Sequence, residues 1–389
     1  MADGGDVTAA IPTGRGTLRR FAVLVAVMAA IYLPTATYDG AQSTDPGMVA
    51  VSAWTLAEHG TLDLSSIADA FAVDEVATGQ TVEVDGRIYT NRFPGTIFLA
   101  TPFFLIFPGP FVAAGVAAAV VAAFMIGFLY LVLARLLEER QAAVGAVVFG
   151  LSTATWSVSA NAIWTHGPAQ LWLVLAMLAM AQQAWATSGL AYGLALFTRP
   201  HLGVTAAVAG LWTSWEERRL APAVRIAATA ALGLAGYLVY TRLLFGSWTL
   251  FGGYGDAMGD NLAQRGPVDF AVDAFWTLFH PQRGVVVYLP VLLWLVPRIP
   301  GSWRTAPTWV RSSALAGVGY FVAQAWINRW SGGDGYWTYR YPLESLTLLA
   351  PLLAMAFVRL DPGRRRIAWI LVAVSVAVQA AGAILNLRT

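Results

Sequence analysis

Apolar residues along this chain do not alternate with polar ones but run in near-continuous stretches, separated by short segments rich in Gly, Pro and Arg. We read these runs as spans at 21–38, 110–134, 142–160, 168–186, 188–199, 201–215, 222–244, 284–297, 310–327, 342–359 and 367–386, about eleven in all. A helix of about 20 apolar residues crosses a hydrocarbon core of about 30 Å, which sets the scale for these assignments. The weakest are 188–199 and 201–215, both short, with Pro200 breaking the helix between them. The run 96–107, TIFLATPFFLIF, is too short to cross and is bracketed by Pro94 and Pro108. An interfacial or re-entrant helix is expected there.

Composition agrees with this pattern. Of 389 residues, 57% are hydrophobic and only 12% are charged, with mean hydropathy +0.60. That is too little charge to cover a soluble protein of this size. The expectation is an all-α polytopic membrane protein, with a cytoplasmic tail at 1–20, one transmembrane domain over 21–386 and an outer end at 387–389. The chain has no cysteine, which removes disulfides, thiol catalysis and Cys-based metal sites. A net charge of +2 without a basic domain speaks against a nucleic-acid partner.

Charge placement sets the orientation. With the N-terminus inside, Arg15, Arg19 and Arg20, Arg135 and Arg140, Arg218 and Arg219, Arg298 and Arg304, and Arg364 to Arg366 all crowd inner span ends. The opening twenty residues resemble the start of a signal peptide, but YLPTATYDG offers a poor small-residue cleavage site, so a retained first helix is expected. On this map all four histidines, His59, His166, His201 and His280, fall at or beyond outer span ends. Any substrate used there must be delivered through the membrane.

Five outer segments are candidates for chemistry. The loop 38–109 opens with Asp39 and Asp45, then continues as an amphipathic helix that Gly60 should end. Asp45 at or just before the N-cap has a purely structural reading, and Asp39 in Tyr38-Asp39-Gly40 reads as a turn. TVEVDGRIYTNRFPG suggests a β-hairpin around Asp85-Gly86, a surface flap if nothing more. His166 enters a helix near Pro168, and Arg199 with His201 adjoins the Pro200 break, an arrangement suited to an anion. The loop 245–283 ends with His280 and Arg283; its GGYG lacks the strand–turn–helix context of a nucleotide loop. The segment 328–342, NRWSGGDGYWTYRYP, places Asp334, Tyr336, Trp337, Tyr339 and Arg340 among glycines that let backbone approach a ligand. Its plain alternative is an interfacial aromatic belt.

STDPGMVAVSAWTLAEHGTLDL, DGRIYTNRFPGTIFLATPFFLI, FTRP, FGS followed by GGYGD, RGVVVYLPVLL and WSGGDGYWTYRYP occur in that order over most of 21–360. This series, with a first helix followed by an acid-bearing outer loop, resembles the type C glycosyltransferases. That superfamily holds the protein O-mannosyltransferases, the aminoarabinose transferases and the actinobacterial arabinofuranosyl- and mannosyltransferases, and the blocks are closest to bacterial members. The resemblance implies a bundle of about eleven helices with interfacial helices in a long first outer loop. It also implies a polyprenyl-phosphate sugar donor used on the outer face of the plasma membrane, and inversion at the anomeric carbon.

The family's acid after the first helix maps onto Asp45 better than onto Asp39. Pro46 stands where the family often has Glu, which argues against a two-carboxylate metal site. On this reading one carboxylate serves as general base. Arg340, Arg199, His166, Arg283 and His280 are the candidates facing the leaving phosphate. Asp334, Tyr336, Trp337 and Tyr339 are candidates for holding sugar or acceptor. No obligatory metal is expected, and the acceptor would be an envelope glycan, glycolipid or protein. The alternatives are a transporter or flippase for a lipid-linked glycan and a non-catalytic subunit of an envelope-assembly complex.

Overall fold

A computed structural model describes residues 14–39, 43–68 and 80–388. The expected tail therefore lies mostly outside the described residues, as do Gly40–Gln42, residues 69–79 of the expected outer loop and Thr389. The chain is an all-α polytopic membrane protein, with 17 α-helices among the described residues.

Helix α1 (Arg15–Tyr32) leads to α2 (Thr44–His59), which Gly60 ends in a left-handed conformation at φ 66°. The segment beyond α2 forms the expected hairpin, β1 (Thr81–Val84) antiparallel to β2 (Arg87–Thr90). Asp85 and Gly86 at its tip both have positive φ, as a tight two-residue hairpin turn requires. Short α3 (Pro94–Phe104) follows, covering most of the run expected not to cross.

The central helix α4 (Pro110–Leu133) is mostly buried and rich in Ala and Gly. It packs on α1 and on α6 (His166–Met180), while α5 (Glu139–Ser152) ends in a wide turn over Thr155–Ser159. Next come α7 (Trp185–Thr198), α8 (Gly203–Glu217) and α9 (Ala221–Phe245). Helices α7 and α9 cross closely at glycines: a Cβ on Gly233 would lie 2.1 Å from the Gly193 carbonyl oxygen. The segment after α9 carries α10 (Gly255–Ala263) and α11 (Pro267–Phe279). Helix α11 leaves Val268, Val272 and Phe275 exposed while burying Asp273 and Thr277, which suits the expected surface-lying amphipathic element.

Each of the eleven expected spans falls on helical structure, but few are single long rods. Helices α1, α4, α9 and α17 (Pro362–Ile384) have the length and apolarity to cross by themselves. Helices α5 to α8 and α16 (Leu343–Val358) have 14–16 residues, about 21–24 Å of rise. The run 284–297 is not one helix. It divides into α12 (Val285–Tyr288) and α13 (Val291–Leu295), because Pro290 cannot continue the hydrogen-bond ladder. Helices α14 (Ile299–Thr305) and α15 (Thr308–Ile327) complete the bundle, and α15 packs against both α8 and α16.

The Arg-rich ends come together at one end of the bundle. There Arg20 pairs with Glu139, Arg311 with Glu216 at 2.7 Å, and Arg298 with Asp361 at 3.2 Å.

Candidate active site

A cavity of about 420 Å³ opens at the other end, where five chain breaks converge. Helix α2 contributes Asp45 from its first turn, and the hairpin's return strand runs directly into Arg92. The start of α6 contributes His166, and the Pro200 break between α7 and α8 contributes Arg199 and His201. The loop after α15 contributes Arg340 and Tyr341.

Asp45 is not the helix cap. Ser43 holds that position, and the Asp45 carboxylate turns inward instead. Its Oδ2 accepts from Arg340 at 2.9 Å, and its Oδ1 lies 3.0 Å from an Arg92 nitrogen. Burial by itself would raise the Asp45 pKa, but Arg340 and Arg92 outweigh it and hold the carboxyl below the usual aspartate range. It is therefore ionised at neutral pH. Arg340 is fixed in turn by an aromatic box, its guanidinium carbon lying 4.6 Å from the Trp164 ring centre and 5.1 Å from those of Tyr336 and Tyr341. It also donates to the Gly332 carbonyl.

A second polar cluster forms the floor. His166 Nδ1 lies 2.9 Å from Oε1 of Glu344, a fully buried residue in the first turn of α16. Arg199 reaches the same oxygen at 3.2 Å, His201 Nε2 at 3.2 Å and the Gln324 carbonyl oxygen at 3.3 Å. His201 lies flat against Tyr320. Helix α10 covers the cavity with Met258 and Asn261.

Several sequence candidates lie elsewhere. Asp39 is exposed and does not line the cavity. His280 stacks on Trp330, with ring centres 3.9 Å apart. Arg283 does not line the cavity; it donates to the carbonyls of Ser331 and Gly333 and to the Tyr336 hydroxyl at 2.8 Å. It also pairs at 3.1 Å with Asp334, whose side chain is otherwise in solvent. Trp337 donates to the Val378 carbonyl at 3.0 Å and packs on Gly382, anchoring the loop to α17. Tyr339 is buried, its hydroxyl accepting from the Ala154 backbone N–H at 3.3 Å. The loop glycines, with Gly332 and Gly333 at φ 64° and 77°, curl backbone carbonyls onto Arg283 and Arg340.

Several residues of the site were not among the sequence candidates, including Arg92, Trp164 and Tyr341 on the cavity wall and Glu344, which is buried behind it against His166 and Arg199. Glu344 carried a signal, since an acid just inside an apolar run is a functional flag by default. Arg92 stands between a hairpin and a Pro-led helix, a position that carries no distinctive pattern. Tyr341 was one aromatic among many. Among the described residues, no group of three His, Asp or Glu is placed to hold a metal ion.

No protein-family model matches the sequence, and no curated protein matches it. Solved structures do match the fold. ArnT from Cupriavidus metallidurans bound to undecaprenyl phosphate aligns with TM-score 0.54 and 17% identity, over 92% of this chain and 63% of that one. The apo form of the same protein gives TM-score 0.59 and 16% identity, over 91% and 62%. The chain thus has a type C glycosyltransferase fold and spans rather less than two thirds of the ArnT chain.

Proposed function

We propose that this protein is a membrane glycosyltransferase that moves a sugar from a polyprenyl-phosphate donor to an envelope glycan, glycolipid or protein. The observation that carries this reading is Asp45 held between Arg92 and Arg340 on a cavity wall that Arg199 also lines. The undecaprenyl phosphate bound to ArnT supports the donor's lipid class.

A sugar hydroxyl attacks poorly until a base takes its proton as the new bond forms. In this mechanism the acceptor oxygen bonds to the anomeric carbon on the side opposite the phosphate. The bond from that carbon to the phosphate oxygen breaks with its electron pair on the phosphate, the proton passes to Asp45, and configuration inverts. Each Asp45 oxygen keeps lone-pair capacity beyond its arginine contact, so pairing does not block this role.

Charge gathers on the departing monophosphate, and Arg340 and Arg92 are the nearest groups able to offset it, with Arg199 and His166 deeper. A monophosphate leaving group needs divalent assistance less than a diphosphate does, so transfer without added metal belongs to the proposal. Trp164 and Tyr341 take the sugar-stacking role that sequence assigned to Tyr336, Trp337 and Tyr339. Arabinofuranose or mannose as the sugar, and kinship with the actinobacterial branch, follow from the sequence resemblance. Plasma-membrane location with the cavity outside follows from the Arg bias.

The test incubates purified protein with radiolabelled polyprenyl-phosphate arabinose or mannose, with and without chelator. Label should pass to an acceptor fraction, or be released slowly from the donor, in both conditions. No turnover of any such donor by folded protein overturns the proposal, and turnover only with metal overturns its metal-free part.

A further inference from the structure

The bundle has a second large cavity, about 440 Å³, toward its Arg-rich end. It is a groove with almost wholly apolar walls. One face of α5 supplies Val144, Gly145, Val148 and Ser152 at helical spacing, and α16 supplies Leu346, Ala350, Leu353 and Phe357 in the same way. Arg140 and Arg365 stand at its mouth with one acid, Glu138. The neighbouring Glu139 is already engaged by Arg20 and by Thr17. Arg365 donates through one terminal nitrogen to the carbonyls of Val358 and Leu360, both at 2.8 Å, and its Nε is buried with no protein partner.

From Arg140 to Ser152 the groove follows thirteen residues of helix, a rise of about 18 Å. That is close to the depth of one leaflet, half of a core about 30 Å thick. Val144 and Trp369, each 40% exposed, flank the opening, so the groove is open sideways to lipid.

We propose that this groove is a binding site for an anionic glycerophospholipid from the leaflet at the Arg-rich end, one acyl chain lying along α5 and α16 and the phosphodiester held by Arg140 and Arg365. Charge at the mouth selects an anionic headgroup, and the one-leaflet depth suits an acyl chain better than a long isoprenoid. The site is separate from the Asp45 cavity and does not depend on what that cavity catalyses.

The test uses the detergent-purified full chain, with dioleoyl phosphatidylglycerol, dioleoyl phosphatidylcholine and undecaprenyl phosphate as probes. Native mass spectrometry and thermal unfolding are the readouts. Phosphatidylglycerol should be retained as a one-to-one adduct and raise Tm more than phosphatidylcholine does. Arg140→Gln should weaken its binding about fivefold, and adding Arg365→Gln should weaken it further by a similar factor. Val144→Trp, at an exposed wall, should block the adduct and carries the test if the double variant does not fold. Three outcomes each overturn the proposal: equal retention of both phospholipids, unchanged phosphatidylglycerol binding in the variants, or variant-sensitive binding of undecaprenyl phosphate alone.

Discussion

Arg340 and Arg283 lie equally deep, 8% exposed each, both bonded to carbonyls of the 328–342 loop and both over the Tyr336 ring. Their partners differ. Arg283 is met mainly by loop carbonyls and a tyrosine hydroxyl, Arg340 by the Asp45 carboxylate on a cavity wall. A guanidinium satisfied by carbonyls holds a loop in shape. One satisfied by a carboxylate beside open space can exchange that partner for a phosphate. Residue type and burial do not separate the two roles; the chemistry of the partner does.

Substitutions can break this comparison at graded strength. Asp45→Asn keeps the shape but removes the proposed base, so transfer should fall about 10²–10⁴-fold, and Tm should fall as well because Arg92 and Arg340 lose their counter-charge. Turnover near wild type would exclude Asp45 as base. Arg340→Ala should lower turnover about 10²–10³-fold, as expected when one donor to a developing anion is lost. An unchanged rate would reduce Arg340 to a scaffold like Arg283.

Acid titration sharpens the same contrast. The Asp45 pKa is depressed, so its carboxylate stays charged, and its pairing keeps contributing stability, until pH falls through that lowered value. In Arg340→Ala one compensating charge disappears while burial remains, so the acid limb of kcat/KM should move to higher pH. A limb that stays in place would mean that Arg340 does not set the Asp45 charge.

Arg283→Ala should behave differently. It leaves buried carbonyls unpaired and should cost about 1–3 kcal/mol of stability, read as a lower Tm, while turnover per folded molecule changes little. The smallest effects belong to Asp39→Asn and Asp334→Asn. Both residues are exposed, where a polar or ionic contact is worth little, and neither rate nor Tm should move measurably. A lost rate in Asp39→Asn would reopen the choice of base.

Much of the site was legible because its parts sit at chain breaks. Pro200 marks the interruption that carries Arg199 and His201, and the acid after the first helix marks Asp45. Arg92 was not legible, since its place depends on the hairpin folding back to deliver it. Nor was the way the 328–342 loop shares its carbonyls between Arg283 and Arg340. The turns through Gly332, Gly333 and Gly335, all at positive φ, set which carbonyl meets which arginine. Trp337 and Tyr339 looked like sugar platforms, yet they serve as anchors to α17 and to the Ala154 backbone.

Sequence alone determined that the chain is helical and membrane-embedded, where most of its helices lie, and that arginines gather at one end. These follow from local composition, because the bilayer penalises every unpaired backbone group and every charge along its thickness. Only tertiary structure decided which acid meets which arginine. Asp45 and Arg340 are 295 positions apart, and their distance depends on how short, interrupted helices stack. No periodicity encodes that stacking; it emerges when the small-residue faces of the bundle close.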